Sequence, residues 1–513
     1  MGLQKKVRGI QGAPLMTLGE VLAGVRLKKP LAAELARLPV QDLEYDSRRV
    51  KPGALFFAFA GARIDGRKFA LQAVKSGAAA VASELPPPEN FNGNWIEVEH
   101  GRQALALAGR NFFNRPDERV ALTGITGTNG KTTTSYLLDA ILRAAGNTTA
   151  LVGTIEYHLG DRVLPAANTT PESIDLYRLL TQLEEMDGRF ATMEVSSHAL
   201  ALGRVHGMHF HTAVFTNLTR DHLDFHQTMD DYFAAKQLLF TGAGAPPPRF
   251  AAINRDDEYG ARMRTNHETH VYWYGLGKDA NVRARRISSG LGGLRFEIHA
   301  EKERFTVESP LIGRINVYNI LAAASAAMSY QLPVQTIVRG IAACQAVPGR
   351  FERVDEGQPF VVVVDYAHTD DALRNVISMA RSLEPKRVVT LFGCGGDRDR
   401  TKRPIMGQVA AELSDFVVLT SDNPRSEDPL DIMNDVLVGL RRKDTPYLVE
   451  PDRATAIRRT IEEARPGDII ILAGKGHETY QVLKDRTIAF DDREVAREVL
   501  RGFGYRRRPD SST

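Results

Sequence analysis

A chain of 513 residues holds about three domains at ~150 residues each, and 43% hydrophobic residues supply a core for every one. Lys and Arg number 66 against 63 Asp and Glu, so the chain as a whole carries no nucleic-acid footprint. No apolar run reaches the ~18 residues of a membrane span, and the two cysteines, Cys344 and Cys394, make no disulfide framework, which fits a reducing cytosol. The N-terminus carries Lys5, Lys6 and Arg8, but Glu20 interrupts the only candidate apolar region, so no signal peptide is expected. Lys6 stands where myristoylation would need Ser or Thr. The tail Arg506-Arg507-Arg508 is too short to alter the charge reading.

Residues 1–116 form a first unit. Tyr45-Asp46-Ser47-Arg48-Arg49 offers a hydroxyl and a guanidinium on a loop, equally readable as an Asx-type turn with a solvated arginine. The run Gly53 to Gly61 alternates small and aromatic residues and predicts a strand ending at a glycine. Asn114-Arg115-Pro116 is the linker.

Residues 117–346 form a central unit in which strands alternate with helices, the pattern of a parallel sheet covered on both faces. A strand-like run, Arg119 to Leu122, leads into Gly124-Ile125-Thr126-Gly127-Thr128-Asn129-Gly130-Lys131-Thr132-Thr133. A helical run, Tyr136 to Ala145, follows and stops at Gly146. Strand, glycine loop, Lys-Thr and helix make a phosphate-binding loop. Backbone N–H groups turn toward the phosphates, Lys131 reaches the β- and γ-phosphates, and Thr132 offers a Mg2+ ligand. The usual motif would put Gly at 125, where Ile125 stands.

Three further strands are predicted at Phe190 to Val195, Thr212 to Thr216 and Phe250 to Ile253. Each ends in a polar cluster, and in open parallel sheets ligands bind outside these carboxyl ends. Glu194 at such an end is a candidate Mg2+ ligand. His206, His209 and His211 are read as histidines with ordinary partners, whereas His222 lies in a strand-end loop on the active edge. Lys236 is flanked on a predicted helix, Met229 to Phe240, by Tyr232, Phe233, Leu239 and Phe240. It is either half-buried with a lowered pKa or a snorkelling lysine whose head reaches water. Ala280 to Pro310 predicts an antiparallel hairpin region, and the stretch Gly313 to Asn319 opens a helix rich in alanine through Ser329.

Residues 347–513 form a third, Rossmann-like unit after Val347-Pro348-Gly349-Arg350. Four strands there end in loops of charged and small residues, a second ligand rim. Gly393-Cys394-Gly395 is no dinucleotide fingerprint, because Arg398 stands where the last glycine would be. Arg398, Arg425, Lys475 and His477 suit an anionic ligand, or a solvated basic face.

Taken together, Thr126 to Thr132, Glu194-Val195-Ser196-Ser197-His198, Asn217 to His222, Asn316, Asn319 and Asp365-Tyr366-Ala367-His368 resemble the Mur ligases of peptidoglycan synthesis. Gly395 to Asp399, Asp422-Asn423-Pro424-Arg425 and Gly474 to Glu478 resemble the members that add diaminopimelate. The resemblance implies an α/β chain of three domains: one for a UDP-sugar, a central P-loop ATPase domain, and a third for the incoming amino acid. It implies a cytoplasmic, monomeric ATP-dependent ligase joining meso-2,6-diaminopimelate to UDP-N-acetylmuramoyl-L-Ala-D-Glu through an acyl phosphate, without nucleic acid or membrane.

By position it implies Ser47 on the uridine nucleotide, and Asn168, Thr169, Thr170, Ser196 and Arg204 on the muramoyl dipeptide. ATP falls to Gly127, Thr128, Asn129, Gly130, Lys131, Thr132 and Thr133, with Asn316, Asn319 and Arg350. Magnesium falls to Thr132, Glu194, His222 and an N6-carboxylated Lys236. Lys131, Glu194, His222 and Lys236 form the implied catalytic set. Diaminopimelate falls to Arg398, Asp422, Asn423, Pro424, Arg425, Gly474 and Glu478. Two departures stand out. Asp370 replaces a common proline, with local stiffness the expected effect, and Leu202 replaces a glutamine near the substrate. A lysine-adding relative, a folylpolyglutamate-synthase-like ligase and a non-catalytic ATP-binding scaffold are the competing readings.

Overall fold

Three sheets built on parallel strands follow one another along the chain. The computed structural model describes residues 15–61, 64–301 and 303–506. Lys5, Lys6, Arg8, Arg507 and Arg508 lie outside the described residues.

The first sheet orders β1 (Asp42–Glu44), β2 (Ala54–Phe57), β3 (Ala80–Ser83) and β4 (Trp95–Glu97), all parallel. The strand expected over Gly53 to Gly61 is only the four residues of β2, all buried because both faces of the sheet are covered. The Gly101–Phe112 helix leans on the Ser173–Glu184 helix of the central unit. Gly109 permits this approach, since a Cβ there would lie 3.0 Å from Ile174.

The central strands are β5 (Ala121–Thr126), β6 (Thr149–Val152), β7 (Glu156–Leu159), β8 (Arg162–Pro165), β9 (Phe190–Glu194), β10 (Thr212–Phe215), β11 (Phe250–Asn254), β12 (His270–Gly275), β13 (Val282–Gly290), β14 (Gly293–Ala300) and β15 (Glu303–Ser309). They make one sheet, ordered β15-β14-β13-β12-β11-β10-β5-β9-β6-β7-β8. The pairs from β6 through β13 are parallel, and antiparallel ribbons flank them at both ends. From β5 the chain crosses to β6 on one side and later to β10 on the other. The loop after β5 therefore sits at the switch point of the sheet.

Two corrections to the sequence reading concern this loop. β5 begins at Ala121 and runs through Thr126, so Gly124 and Ile125 are strand residues. Ile125 belongs to the core, and a Cβ on Gly124 would lie 2.7 Å from Phe210. The working loop is Gly127 to Gly130, which removes the objection raised by Ile125. The helix after it starts at Lys131 and ends at Ala144. Its first turn was missed because Lys131, Thr132 and Thr133 lack the apolar spacing that marks the rest. That helix buries Leu137, Leu138, Ile141 and Leu142 against the Arg314–Ser329 helix, whose alanines allow close approach.

The third sheet orders β16 (Glu352–Val354), β17 (Val361–Asp365), β21 (Asp468–Ala473), β18 (Arg387–Phe392), β19 (Phe416–Leu419) and β20 (Tyr447–Val449). Only β16 runs antiparallel. A separate hairpin pairs β22 (Tyr480–Val482) with β23 (Thr487–Ala489). The short strands β16, β20, β22 and β23 and the β6–β8 ribbon were not foreseen. Among the described residues no helix is long and apolar enough to cross a membrane.

Under the carboxyl ends of β19 and β21 lies a wholly buried ion pair. Arg453 Nε and Nη2 donate to Asp492 at 2.8 and 2.6 Å. The same guanidinium donates to the carbonyls of Ser421 at 3.2 Å and Ala473 at 2.9 Å, just before Asp422 and Gly474. Arg453→Ala would strand the Asp492 charge, at a cost of about 3–5 kcal/mol to this unit. Trp95 and Trp273 lie outside the unit, so amide hydrogen exchange of β19 and β21 is the proper reading. Protection there should fall by that amount while β5 and β10 keep theirs.

Candidate active site

The loop between β5 and its helix is tied to the loop after β10. Thr128 N–H donates to the Asn217 carbonyl at 2.8 Å, Asn129 N–H donates to Asn217 Oδ1 at 2.9 Å, and Thr216 Oγ1 donates to the Asn129 carbonyl at 2.6 Å. Gly127 and Gly130 have φ of 149° and 84°. A Cβ on Gly127 would strike Thr216 Oγ1 at 1.8 Å, and one on Gly130 would strike Asn319 Oδ1 at 2.4 Å. Glycine is required at both points. Asn319 Nδ2 donates to Asn316 Oδ1 at 2.8 Å, and Asn316 Nδ2 to the Ile312 carbonyl at 2.7 Å. Both asparagines wall the crevice beside Lys131, Thr132 and Thr133.

Lys131 Nζ donates to the Gly127 and Thr128 carbonyls at 2.9 and 2.8 Å, and burial lowers its pKa. Lys236 Nζ reaches the same Gly127 carbonyl at 2.9 Å, 4.5 Å above the Tyr232 ring. Lys236 is 1% exposed, which overturns the snorkelling alternative. Burial, with the charge of Lys131 added, holds its pKa far below the ordinary lysine value.

Glu194 ends β9 with no exposed surface. It accepts from Thr132 Oγ1 at 3.1 Å, Thr154 N–H at 2.9 Å and Thr154 Oγ1 at 3.0 Å. Thr154 had no signal in the sequence. Arg350, from the third unit, donates to Thr132 Oγ1 at 3.2 Å and stacks on Tyr366. His222 takes a left-handed φ of 55° and leaves its side chain 43% exposed to the crevice. Burial of the remainder keeps its imidazole below the usual pKa, in the neutral form that ligates metals. Glu194 and Thr132 bring to this crevice the oxygen donors that Mg2+ prefers, with His222 on the same wall, although among the described residues no group of three His, Cys, Asp or Glu side chains lies close enough together to hold a metal. Of the histidines expected to have ordinary partners, His211 stacks on Tyr330 and His206 lies against Gly244.

Next to Glu194, Thr170 Oγ1 donates to the Glu194 carbonyl at 2.9 Å and accepts from Ser196 N–H at 3.0 Å. Ser196 Oγ caps the Ser197–Leu202 helix, on which Leu202 is half-buried. Arg204 donates to Glu172 at 3.0 Å and to the Thr170 carbonyl at 3.0 Å. Thr169 Oγ1 lies 3.1 Å from Thr154 Oγ1, and the backbone of Asn168 meets the Tyr157 hydroxyl. Ser47 stands apart from this crevice in the first unit, its Oγ 3.4 Å from Gln72 Oε1.

A second cavity of 340 Å3 opens at the carboxyl ends of the third sheet. Arg398, Asp422, Asn423, Arg425, Gly474 and Glu478 line it. Pro424 acts through its backbone, packed so closely on Gly396 that a Cβ there would lie 1.9 Å from the Pro424 oxygen. Arg425 Nη1 donates to the Gly396 carbonyl at 2.7 Å, and Asn423 Nδ2 donates to Glu478 at 2.9 Å. Two members of the expected cationic rim are corrected. Lys475 is wholly buried and paired with Glu478 at 2.8 Å. His477 packs on Tyr366, and burial pushes it down to about 3, so it carries no charge at neutral pH. Arg398 and Arg425 remain.

Asp370 also departs from expectation. Beyond setting local stiffness, it accepts from Arg220 Nη2 at 3.1 Å, across the boundary to the central unit. The nucleotide crevice and the second cavity share Thr169, Asp221, His222, Tyr366, His368 and Thr369 as walls. Asp221 and His368 were named only within motifs. Their place between two sites depends on two sheets meeting, which local sequence does not encode.

Three family descriptions match the chain: Mur ligase family, catalytic domain, over residues 39–113; Mur ligase middle domain over 125–327; and Mur ligase, glutamate ligase domain over 349–476. A UDP-N-acetylmuramoyl-L-alanyl-D-glutamate–2,6-diaminopimelate ligase of Solibacter usitatus (strain Ellin6076) is 68% identical, over 96% of this chain and 99% of its own. A protein of the same name from Geobacillus thermodenitrificans (strain NG80-2) is 45% identical, over 90% and 94%. A solved structure, again of a ligase of that name, superposes with a TM-score of 0.68 at 32% identity, covering 96% of this chain and all of that one. On this agreement of sequence and fold along almost its whole length, the chain belongs to the Mur ligase family.

Proposed function

We propose that the chain is an ATP-dependent amide ligase that joins meso-2,6-diaminopimelate to UDP-N-acetylmuramoyl-L-alanyl-D-glutamate in the cytoplasm, acting as a monomer. The observation that carries the reading is the shared wall of the two cavities. A carboxylate phosphorylated in the nucleotide crevice would lie within reach of an amine held in the neighbouring cavity. The naming of the 68% identical relative supports the same substrates.

In this reading the Gly127-to-Thr133 loop and Lys131 hold the ATP phosphates, with Asn316, Asn319 and Arg350 along the nucleotide. Asn168, Thr169, Thr170, Ser196 and Arg204 hold the muramoyl dipeptide, and Ser47 the uridine end. The γ-carboxylate oxygen of D-glutamate attacks the γ-phosphorus, and ADP leaves. The amine of diaminopimelate then attacks the acyl carbon. The carbon–nitrogen bond forms, phosphate leaves with the carbon–oxygen bond, and the amine gives up a proton. Thr132, Glu194, His222 and a carboxylated Lys236 would hold Mg2+, which offsets phosphate charge when bound.

Lys236 suits carboxylation because burial and the charge of Lys131 lower its pKa and so favour the neutral amine, the form that adds CO2, releasing one proton and leaving a carbamate anion. A lysine-adding ligase would share all of this but not the need for two arginines over the far carboxylate. Arg398 and Arg425 in the cavity favour diaminopimelate.

Phosphate release from ATP, with Mg2+ and the UDP-muramoyl dipeptide, should require meso-diaminopimelate and fail with L-lysine. Release with lysine alone would discard the reading of the cavity. Arg425→Ala should lower kcat/KM for diaminopimelate by about 2–5 kcal/mol equivalent while ATP binding holds, the scale for truncating one partner of a buried charge pair. Lys236→Ala should be inactive and regain activity with a short-chain acid; full activity without the acid excludes the carbamate.

Lys236 also shapes stability. Its pKa is lowered in the fold, so between that value and the ordinary ~10.4 the unfolded chain binds a proton that the folded chain does not. The contribution of Lys236 to stability therefore rises with pH up to ~10.4. In CO2-depleted buffer Lys236→Met should melt above wild type at pH near 7 and lose that advantage toward ~10.4.

A further inference from the structure

The Asp370–Arg381 helix begins the third unit's approach to the nucleotide crevice, and Thr369 caps it by accepting from Ala372 N–H. Asp370 and Asp371, the next two residues, both reach across to the central unit. Asp371 accepts from Asn129 Nδ2 at 2.8 Å and Thr219 Oγ1 at 3.1 Å. Asp370 accepts from Arg220 Nη2 at 3.1 Å, and Arg220 Nη1 lies 3.8 Å from Asp399, also of the third unit. Arg220 sits in the loop after β10, immediately before Asp221 and His222, which wall both cavities. Its side chain is 34% exposed and that of Asp370 20%.

We propose that Asp370 is a positioning residue: with Arg220 it forms an electrostatic latch that holds the third domain closed over the central one. Two anions, one at a helix start and one in a loop of the third domain, face one guanidinium of the central domain. Separating the domains therefore breaks both attractions at once. The latch lies at the lip of the cavity, so its opening admits the amino acid and its closing brings Asp221 and His222 up to it. Asp371 adds a second grip on Asn129, inside the phosphate loop, which couples closure to that loop. The inference holds for whichever amino acid the cavity takes.

Position supplies a clean test. Asp370 is the first helical residue, where proline fits without loss of a helix hydrogen bond, so Asp370→Pro removes the charge and keeps the helix. Asp370→Asn removes the charge and keeps the shape. Cys344 and Cys394 are buried, so dyes attached through Glu268→Cys and Asp444→Cys report the two domains.

Single-pair fluorescence transfer on the full chain without substrates should show a closed-to-open ratio about two- to fivefold lower in both variants, the range for a partly exposed pair. Wild type should fall to the same ratio at about 1 M salt, where the screening length is about 3 Å, and the variants should then change little. A ratio unchanged in both variants at low salt overturns the latch. A raised KM for the amino acid without that change would make Asp370 a substrate contact and overturns it equally.

Discussion

Two lysine amines meet at one backbone oxygen. Lys131 and Lys236 both donate to the Gly127 carbonyl at 2.9 Å, inside a loop whose walls are packed against them. One carbonyl does not balance two ammonium charges in such a place, and burial drives both pKa values down. The arrangement is costly to the free protein and suited to a loaded one. In the proposed reading, triphosphate oxygens would answer the first lysine and a carbamate would change the sign of the second. The site is thus organised around charge that arrives with the ligands, as in sites whose preorganised groups await developing charge.

The surrounding structure keeps this tension in place. Gly127 is fixed from one side by β5 and from the other by Thr216, with no room for a side chain. Glu194 is fixed at the end of β9, and Gly153 leaves space for its carboxylate, which a Cβ there would meet at 2.5 Å. Each holding element is a strand end of the parallel sheet, and the sheet itself is buried on both faces. The same logic recurs in the third domain. There the Arg453–Asp492 pair grips the carbonyls before Asp422 and Gly474, and the cavity inherits its shape from a pair buried beneath it and not among its lining residues.

The motifs were legible because each is local. Gly127 to Thr133, the acid closing β9 and the Asp422-to-Arg425 turn are runs of consecutive residues whose chemistry is written in their order. What was not legible depended on partners far along the chain. Lys475 looked like a free cation until its pairing with Glu478 inside the domain was seen. Ile125 looked like a defect in a phosphate loop because the end of β5 was set four residues too early. From its spacing Lys236 stays open between half-buried and snorkelling, because helical periodicity reports which face a residue occupies, not how deeply that face is covered. Asp370 read as a matter of stiffness because its partner Arg220 lies 150 residues away in sequence.

The division between the sheets has a chemical consequence. Phosphoryl transfer requires the nucleotide loop, the buried acid and the metal-type donors, all on the central sheet. In the proposed reading, recognition of the amino acid falls to the arginines of the third, which line its cavity. Asp221, His222, Tyr366 and His368 stand between them, two from each side. A change of amino-acid preference can therefore arise in the third domain without disturbing the chemistry of the second. On that reading neither half is a complete site, because a nucleophile bound by one domain would meet its electrophile only when both domains are held together. Contacts such as Asn129 with Asp371 and Thr132 with Arg350 cross that boundary within the nucleotide site itself. Domain position and phosphate-loop geometry are for this reason one variable, not two.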